Sequence, residues 1–501
     1  GYKKASATVS GGTDRVKLLV STSTEEGDQY EDGNGNDFTE QQIEKGFASS
    51  RLYSNPEQEA FEKKTILTKG QFNINDDSEL KLSYTANRSD NILYPAGSMD
   101  ADYDDSNIYT VGYTARNLGN YSKELNLDYY YSNVDHPMST KLRDSGATYN
   151  TAHYKTSIWG SKIKNAFEVS DSLVTVGLDT SVRNWRGENY TTNRATAIET
   201  YTGSSLASTD TTNKAIFTKI GKSFGDLDLE TGLRYDYTDI DSSDNSKEDK
   251  KYIALNGNIF AIYNVDENMK YFAGVGKSSR VPDARELYTT GMGAKGNKDL
   301  EDVKNYEVDL GFDKTIGTFN IRPKLFYSVL KDYIYNPYSG GMTPVYFENI
   351  DAKIYGLDIS GFYFMTDNLS LDYGIAYQRG KKDEAIAGKT DKDLAEIPPL
   401  KANLALNYEL NKSKYTAEVV AVDSWDNYDA DAGENELGGY ALFNLKYANQ
   451  LHKNIGLTIG VDNVFDKTYA STNMYKDIMY ATSTSFNDPG RYGYVNLKYS
   501  F

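Results

Sequence analysis

The feature that most restricts this chain is a two-residue alternation of apolar and polar side chains, repeated from one end to the other. In Glu124-Leu125-Asn126-Leu127-Asp128-Tyr129 the odd positions are apolar and the even ones polar. Asn305 to Asp313, Asn320 to Tyr327, Ile455 to Asp462 and Val495 to Phe501 hold the same rhythm. Successive side chains of a strand point to opposite faces, so each run has one oily face and one wet face. Two architectures use such strands. A soluble sandwich or solenoid turns the oily faces into a core, whereas a transmembrane barrel turns them toward lipid and keeps a polar interior.

Three features favour the barrel. The runs reach the roughly 9–11 residues a tilted strand needs to cross a bilayer. Tyr and Phe gather near run ends, as in Tyr129-Tyr130-Tyr131 and Tyr333-Ile334-Tyr335, where interfacial girdles belong. Short turns (Ser10 to Thr13, Asn75 to Asp77, Val265 to Glu267, Thr366 to Asn368 and Asn411 to Ser413 among them) alternate with long polar connections. The long ones are expected over 26–56, 95–106, 133–148, 186–212, 239–249, 281–299, 335–344, 381–397, 426–437 and 471–486. Outer-membrane barrels have this asymmetry, with the long connections outside the cell.

Composition closes other routes. No apolar run approaches the ~18 residues of a spanning helix, which excludes a helical membrane protein. A net charge of −18 speaks against a nucleic-acid partner, and the absence of Cys removes disulfides and thiolate metal sites. The abundance of Tyr (43) and Gly (41) is unlike a helical enzyme. The start, Gly1-Tyr2-Lys3-Lys4-Ala5, carries no signal-peptide pattern and opens directly into a strand-like run, so the expectation is that residues preceded it. The strand count is about 21, and bacterial single-chain barrels have even numbers, so one strand is expected upstream of Gly1. A 22-stranded barrel is of the size whose lumen needs a plug.

Several segments resemble TonB-dependent outer-membrane receptors. Arg280 to Tyr288 is similar to the family's R-x-P-x-x-x-E-L-Y element, and Gly296 to Glu301 with Tyr306 to Gly311 resembles its G-N-x-x-L…E-x-G element. Asn349 to Asp358 resembles the N-x-x-x-x-x-x-G-x-E stretch with Asp for Glu. Asp462 to Tyr469 and Pro489-Gly490-Arg491 resemble the two final-strand signatures, and Phe501 the terminal residue read by barrel assembly. The resemblance implies an all-β, transmembrane antiparallel barrel of about 22 strands. It also implies a multi-pass outer-membrane location in a Gram-negative cell, lipid and lipopolysaccharide as surroundings, and transport rather than catalysis. The family's N-terminal plug and TonB-engaging box are not visible in this sequence. Residues 1–501 are therefore expected to be the barrel alone, with TonB coupling residing in the missing plug.

His136 and Met138 draw attention because residues two apart on an extended backbone point to the same side. Imidazole plus thioether is a soft pair that selects copper, Cu(I) especially, although an H-x-M spacing also arises by chance. Val134 to Met138 with Leu142-Arg143 resembles the D-H-x-M segment of the family's copper-receptor branch, with Ser139-Thr140 departing from it. Ser98 to Asp105 resembles that branch's M-D-x-x-Y-D-D loop and adds Met99 to the candidate ligands. The resemblance implies that the plug would complete the site with a C-x-x-x-M pair. Copper is thus expected as transported ligand, no cofactor as tightly bound, and copper affinity of this chain alone as weak. A siderophore, haem or corrinoid receptor, or an open pore, are the alternatives.

The other histidines read as structural: His153 as a lumen or interface group, His452 as a turn residue. Met99, Met138, Met292, Met342, Met474 and Met479 fall in or beside external connections, either as a thioether track or as loop filler. Glu31 to Asp37 resembles half of a calcium loop but lacks Gly at the sixth and Glu at the twelfth position, so it reads as a solvated loop. No phosphate loop or nucleophile elbow occurs.

Overall fold

The computed structural model describes the chain apart from residues 120–121, 145, 291–293, 337–344 and 474–484. Its described residues form one antiparallel sheet of 22 strands and, apart from it, a two-residue parallel pairing of Ala294–Lys295 with Val345–Tyr346. β1 Tyr2–Gly12, β2 Val16–Gly27, β3 Phe61–Asn75, β4 Ser78–Ile92, β5 Asp100–Tyr103, β6 Asp105–Arg116, β7 Glu124–Ser139 and β8 Thr148–Val169 come first. β9 Ser172–Asn193, β10 Glu199–Phe224, β11 Leu227–Ser242, β12 Lys250–Asp266, β13 Met269–Arg280, β14 Val303–Ile316 and β15 Phe319–Tyr335 follow. β16 Glu348–Phe364, β17 Leu369–Lys382, β18 Lys401–Leu410, β19 Ser413–Val422, β20 Tyr440–His452, β21 Ile455–Asp462 and β22 Tyr492–Tyr499 complete it.

β5 and β6 lie between the same neighbours, β4 and β7, and are two pieces of one stave broken at Asp104. The sheet therefore has 21 staves, matching the sequence count. The ladder runs stave to stave from β1 to β22. Among the described residues no ladder joins these two, and both run from the long-connection end toward the short-turn end. Loop contacts cross between their external ends: Gly490 N donates to Glu31 O at 2.9 Å and Tyr30 Oη to Asn487 O at 2.9 Å.

The alternation has the expected outcome. Register pairs Leu310 with Leu325, Leu325 with Leu357, and Tyr327 with both Val308 and Tyr355, which gives an apolar row on the outer wall. Leu310 and Leu325 are each more than half exposed, as lipid-facing residues must be. The opposite face is polar and ion-paired: Lys162 with Asp179 at 3.3 Å, Arg234 with Asp236 at 2.8 Å, and Lys324 with Asp309 at 2.7 Å. Rings on that inner face lie over glycines directly across the ladder: Tyr130 on Gly160, Phe217 on Gly177, Phe272 on Gly311, Phe326 on Gly356 and Tyr494 on Gly460. A methyl on Gly160 would come within 2.5 Å of the Tyr130 ring, so glycine is required there for space. No helix is long and apolar enough to cross a membrane among the described residues.

Apolar burial sits at the external end, where three clusters cap the staves. One joins Leu206, Ile240, Leu287, Tyr288 and Leu300, a second joins Leu330, Tyr335, Ala352 and Leu394, and a third joins Phe38, Tyr53, Ala60 and Leu93. Two short helices, Phe38–Glu44 and Ala284–Tyr288, sit in the external connections, each started by an aspartate capping box.

Three expected connections are corrected. The stretch 186–212 is mostly strand: β9 and β10 run 22 and 26 residues and are joined only by 194–198. In 133–148, β7 continues to Ser139, and in 95–106, β5 begins at Asp100. Above the bilayer neither face meets lipid, so the apolar alternation is no longer needed while the backbone ladder persists. In the segment Glu31 to Asp37, Glu31, Asn34 and Gly35 are exposed as a solvated loop requires, but Asp32 is not. Asp32 is 3% exposed, its Oδ1 accepts Asn34 N and Asn36 N at 2.8 and 3.0 Å, and its Oδ2 accepts Asn487 Nδ2 at 2.6 Å. Its carboxylate is spent on packing two connections together.

Candidate metal-capture site at the external rim

β7 alternates strictly below its rim. Leu127 and Tyr129 are exposed on the outer wall, so the even positions, from Asn126 up to His136 and Met138, share the inner face. His136 and Met138 thus lie on one side of one stave, as their spacing requires, in the last four residues of β7. Register sets Met138 opposite Ala152 of β8 and opposite Ala101 of β5. Met99, half-buried, immediately precedes β5, two residues before Ala101.

The His136 ring is one-quarter exposed, and its Nδ1 lies 3.8 Å from Asp104 Oδ2. Asp104 is the residue at which the stave breaks between β5 and β6. Nε2 of His136 has no hydrogen-bond partner among the described residues. A carboxylate near one ring nitrogen leaves the other as the donor to a metal.

His153 is not brought to this face. It opposes Pro137, and its Nε2 pairs with Asp135 Oδ1; Asp135 Oδ2 is 3.2 Å from Lys155 Nζ. Its ring meets Tyr103 edge-on at 6.4 Å. The two rim histidines therefore face opposite sides of the wall. His452 ends β20 at a short turn, as expected. Met292, Met342, Met474 and Met479 lie outside the described residues, and Met269 and Met365 lie at short turns. No group of three or more His, Asp or Glu is arranged to hold a metal among the described residues. Any capture here rests on the thioethers.

The connection before β5 is held by a buried ion pair that no sequence pattern marks. Asp100 and Arg143 are each 1% exposed. Arg143 donates to Asp100 through Nε at 2.6 Å and Nη2 at 2.7 Å, and to Arg51 O and Tyr94 O at 2.9 Å. Asp100 Oδ1 also accepts from Tyr53 Oη at 2.9 Å and Tyr94 N at 2.7 Å, and the guanidinium stacks on the Tyr53 ring at 4.1 Å. Burial beside the Asp100 charge pushes the Tyr53 hydroxyl far above its usual range. One fork thereby joins three connections, 28–60, 93–99 and 140–147, beside Met99 in the chain. Asp100 and Arg143 were visible only as members of two motif runs. Nothing in a sequence marks an Arg in a polar loop as fully buried.

Known proteins give this geometry its context. The family described as TonB dependent receptor-like, beta-barrel matches residues 47–464. The vitamin B12 transporter BtuB of Photobacterium profundum is 24% identical over 296 residues, 56% of this chain and 44% of that protein. The match thus spans less than half the length of that relative. Among solved structures, the copper transporter OprC superposes with a TM-score of 0.87 at 18% identity, covering 100% of this chain and 78% of its own. The FrpB iron transporter from Neisseria meningitidis, as apoprotein, superposes at 0.77 with 14% identity, covering 99% and 79%. The ferric enterobactin receptor PfeA from Pseudomonas aeruginosa, as a mutant bound to enterobactin, gives 0.73 at 16% identity, covering 100% and 78%. At these identities the likeness is one of fold. The family match covers most of the sequence, and the chain belongs to the TonB-dependent receptors, a family of outer-membrane transporters and receptors, as their β-barrel.

Proposed function

We propose that this barrel serves an outer-membrane transporter for copper, capturing the ion at the external rim through His136 and Met138 with Met99 beside them. The observation that supports the reading is the register: Met138 stands opposite Ala101, with His136 two residues below it on the same face and Met99 close by in sequence, just before β5. Thioether and imidazole favour Cu(I) over the hard cations that carboxylates would hold. The likeness in fold to a copper transporter supports the reading, as does the buried fork that holds the Met99 connection against the end of β7. In this chain the three residues offer an incomplete ligand set, so affinity is expected to be weak. Energy coupling through TonB belongs to the proposal for the whole protein.

Competition titration of the detergent-folded chain with Cu(I) tests this. The unaltered chain should take up one Cu(I), and His136→Ala with Met138→Ala should abolish it. Equal uptake by both would overturn the metal assignment. The 24% match to a vitamin B12 transporter supports a second reading, a corrinoid receptor. Binding of cyanocobalamin, with Cu(I) uptake indifferent to the double substitution, would favour that reading.

A further inference from the structure

We propose that Lys382 and Asp429 condense into an isopeptide bond, a covalent cross-link within the external rim. Lys382 is the last residue of β17, and Asp429 lies in the connection that follows β19. Lys382 Nζ stands 2.7 Å from Asp429 Oδ2, and both side chains are 0% exposed. Lys382 is the one buried lysine among the described residues. The lysines of other ion pairs differ: Lys162, Lys324 and Lys331 are 40–44% exposed, so water keeps each as an ammonium ion.

Burial decides which form of the pair can react. An ammonium beside a carboxylate is inert, because the nitrogen has no free electron pair. Away from water the charged pair bears the loss of its hydration. One proton passed from nitrogen to oxygen leaves a neutral amine against a neutral acid. The surroundings of this pair are apolar. Lys382 opposes Ala352 in the ladder, its Nζ lies 5.1 Å from the Tyr335 ring, and Ala432 N reaches Asp429. These three residues belong to one apolar cluster with Leu330 and Leu394.

The two oxygens of Asp429 are held differently, as the step requires. Oδ1 accepts Ala432 N at 3.0 Å, a backbone donor for the oxygen that gains charge when the carbonyl is attacked. Oδ2 accepts the Tyr335 hydroxyl, which faces the oxygen that departs. Glu434, also buried, fixes the backbone: its Oε2 accepts Asp429 N at 2.7 Å and its Oε1 accepts Glu396 N at 2.8 Å. Nζ attacks Cγ of the protonated carboxyl and a C–N bond forms. The bond from Cγ to Oδ2 breaks, and that oxygen leaves with its own proton and one from nitrogen, as water. Nothing is oxidised or reduced, and no co-reactant is needed. Two groups held in contact react as if at about 10⁵–10⁸ M when well oriented. The other buried pair has no such route, since the Arg143 guanidinium stays protonated. The cross-link joins residues 47 apart in the chain and ties the 383–400 and 423–439 connections together.

Intact mass spectrometry of the detergent-folded, then denatured, chain tests the proposal. The chain should be lighter than its sequence mass by one water, and digestion should release one branched peptide containing Lys382 and Asp429. Lys382→Arg keeps a cation but offers no amine, and should restore the full mass. A folded chain that keeps its full mass after prolonged incubation would overturn the proposal. So would a water loss that persists in Lys382→Arg, or a branched peptide joining other residues. Should Lys382→Arg not fold, the peptide map of the unaltered chain decides.

Discussion

Two fully buried ion pairs brace the external rim, Arg143 with Asp100 and Lys382 with Asp429. In the first, a planar fork engages both carboxylate oxygens and two backbone carbonyls. In the second, Lys382 Nζ reaches one oxygen of Asp429 at 2.7 Å and lies 5.1 Å from the Tyr335 ring. Tyr335 Oη donates to the same oxygen, Ala432 N donates to the other at 3.0 Å, and Asp429 N donates to Glu434 at 2.7 Å. Both pairs draw several connections together, one over 28–60, 93–99 and 140–147, the other over 383–400 and 423–439. They differ in what stands beside them. Among the described residues, every histidine or methionine of the external rim (Met99, His136, Met138 and His153) lies on the arginine side. Burial of a charge pair is thus a bracing device used twice, and only the donors above one of them suggest capture.

The largest effect should come from breaking each pair in turn. Arg143→Met leaves Asp100 charged and buried with no countercharge, only the Tyr53 and Tyr94 donors, and should cost about 3–5 kcal/mol of local stability. Hydrogen exchange should quicken across 28–60 and 93–99 while the staves stay protected. Lys382→Met should do the same for 383–400 and 423–439. Only the first should also weaken Cu(I) uptake, and equal weakening by both would erase the contrast. A smaller effect separates fork from point charge. Arg143→Lys keeps the charge but loses the bidentate grip and should cost about 1–3 kcal/mol by the same exchange measurement. Lys382→Arg should change exchange over 93–99 not at all. The smallest concerns Asp104: Asp104→Asn should weaken Cu(I) binding about tenfold through His136, in the range of residues that orient a metal-binding imidazole. The exchange pattern should be untouched.

Much of this molecule was legible in the order of its residues because lipid imposes a strict rule. Every stave that crosses the bilayer must alternate, so Leu125 to Tyr129 and Asn305 to Asp313 announced themselves, and the side shared by His136 and Met138 followed from the same rule. Above the membrane that rule lapses. The upper halves of β9 and β10 are mostly polar, with only scattered apolar residues such as Trp185 and Leu206, so Arg186 to Thr212 read as a loop although the backbone still pairs. Charges gave the other failures. Asp32, Asp100, Arg143, Lys382 and Asp429 look like solvated loop residues in sequence, yet each is buried by partners far away along the chain. The partner of Asp100 is 43 residues distant and that of Lys382 is 47, and no local pattern encodes such pairings.

X-ray absorption at the copper edge of the Cu(I)-loaded, detergent-folded chain tests the soft-donor rim most directly. The account predicts sulfur scatterers together with one imidazole, with the sulfur signal falling on Met138→Ala and the imidazole signal lost on His136→Ala. A first shell of oxygen and nitrogen alone, unchanged by either substitution, would contradict it.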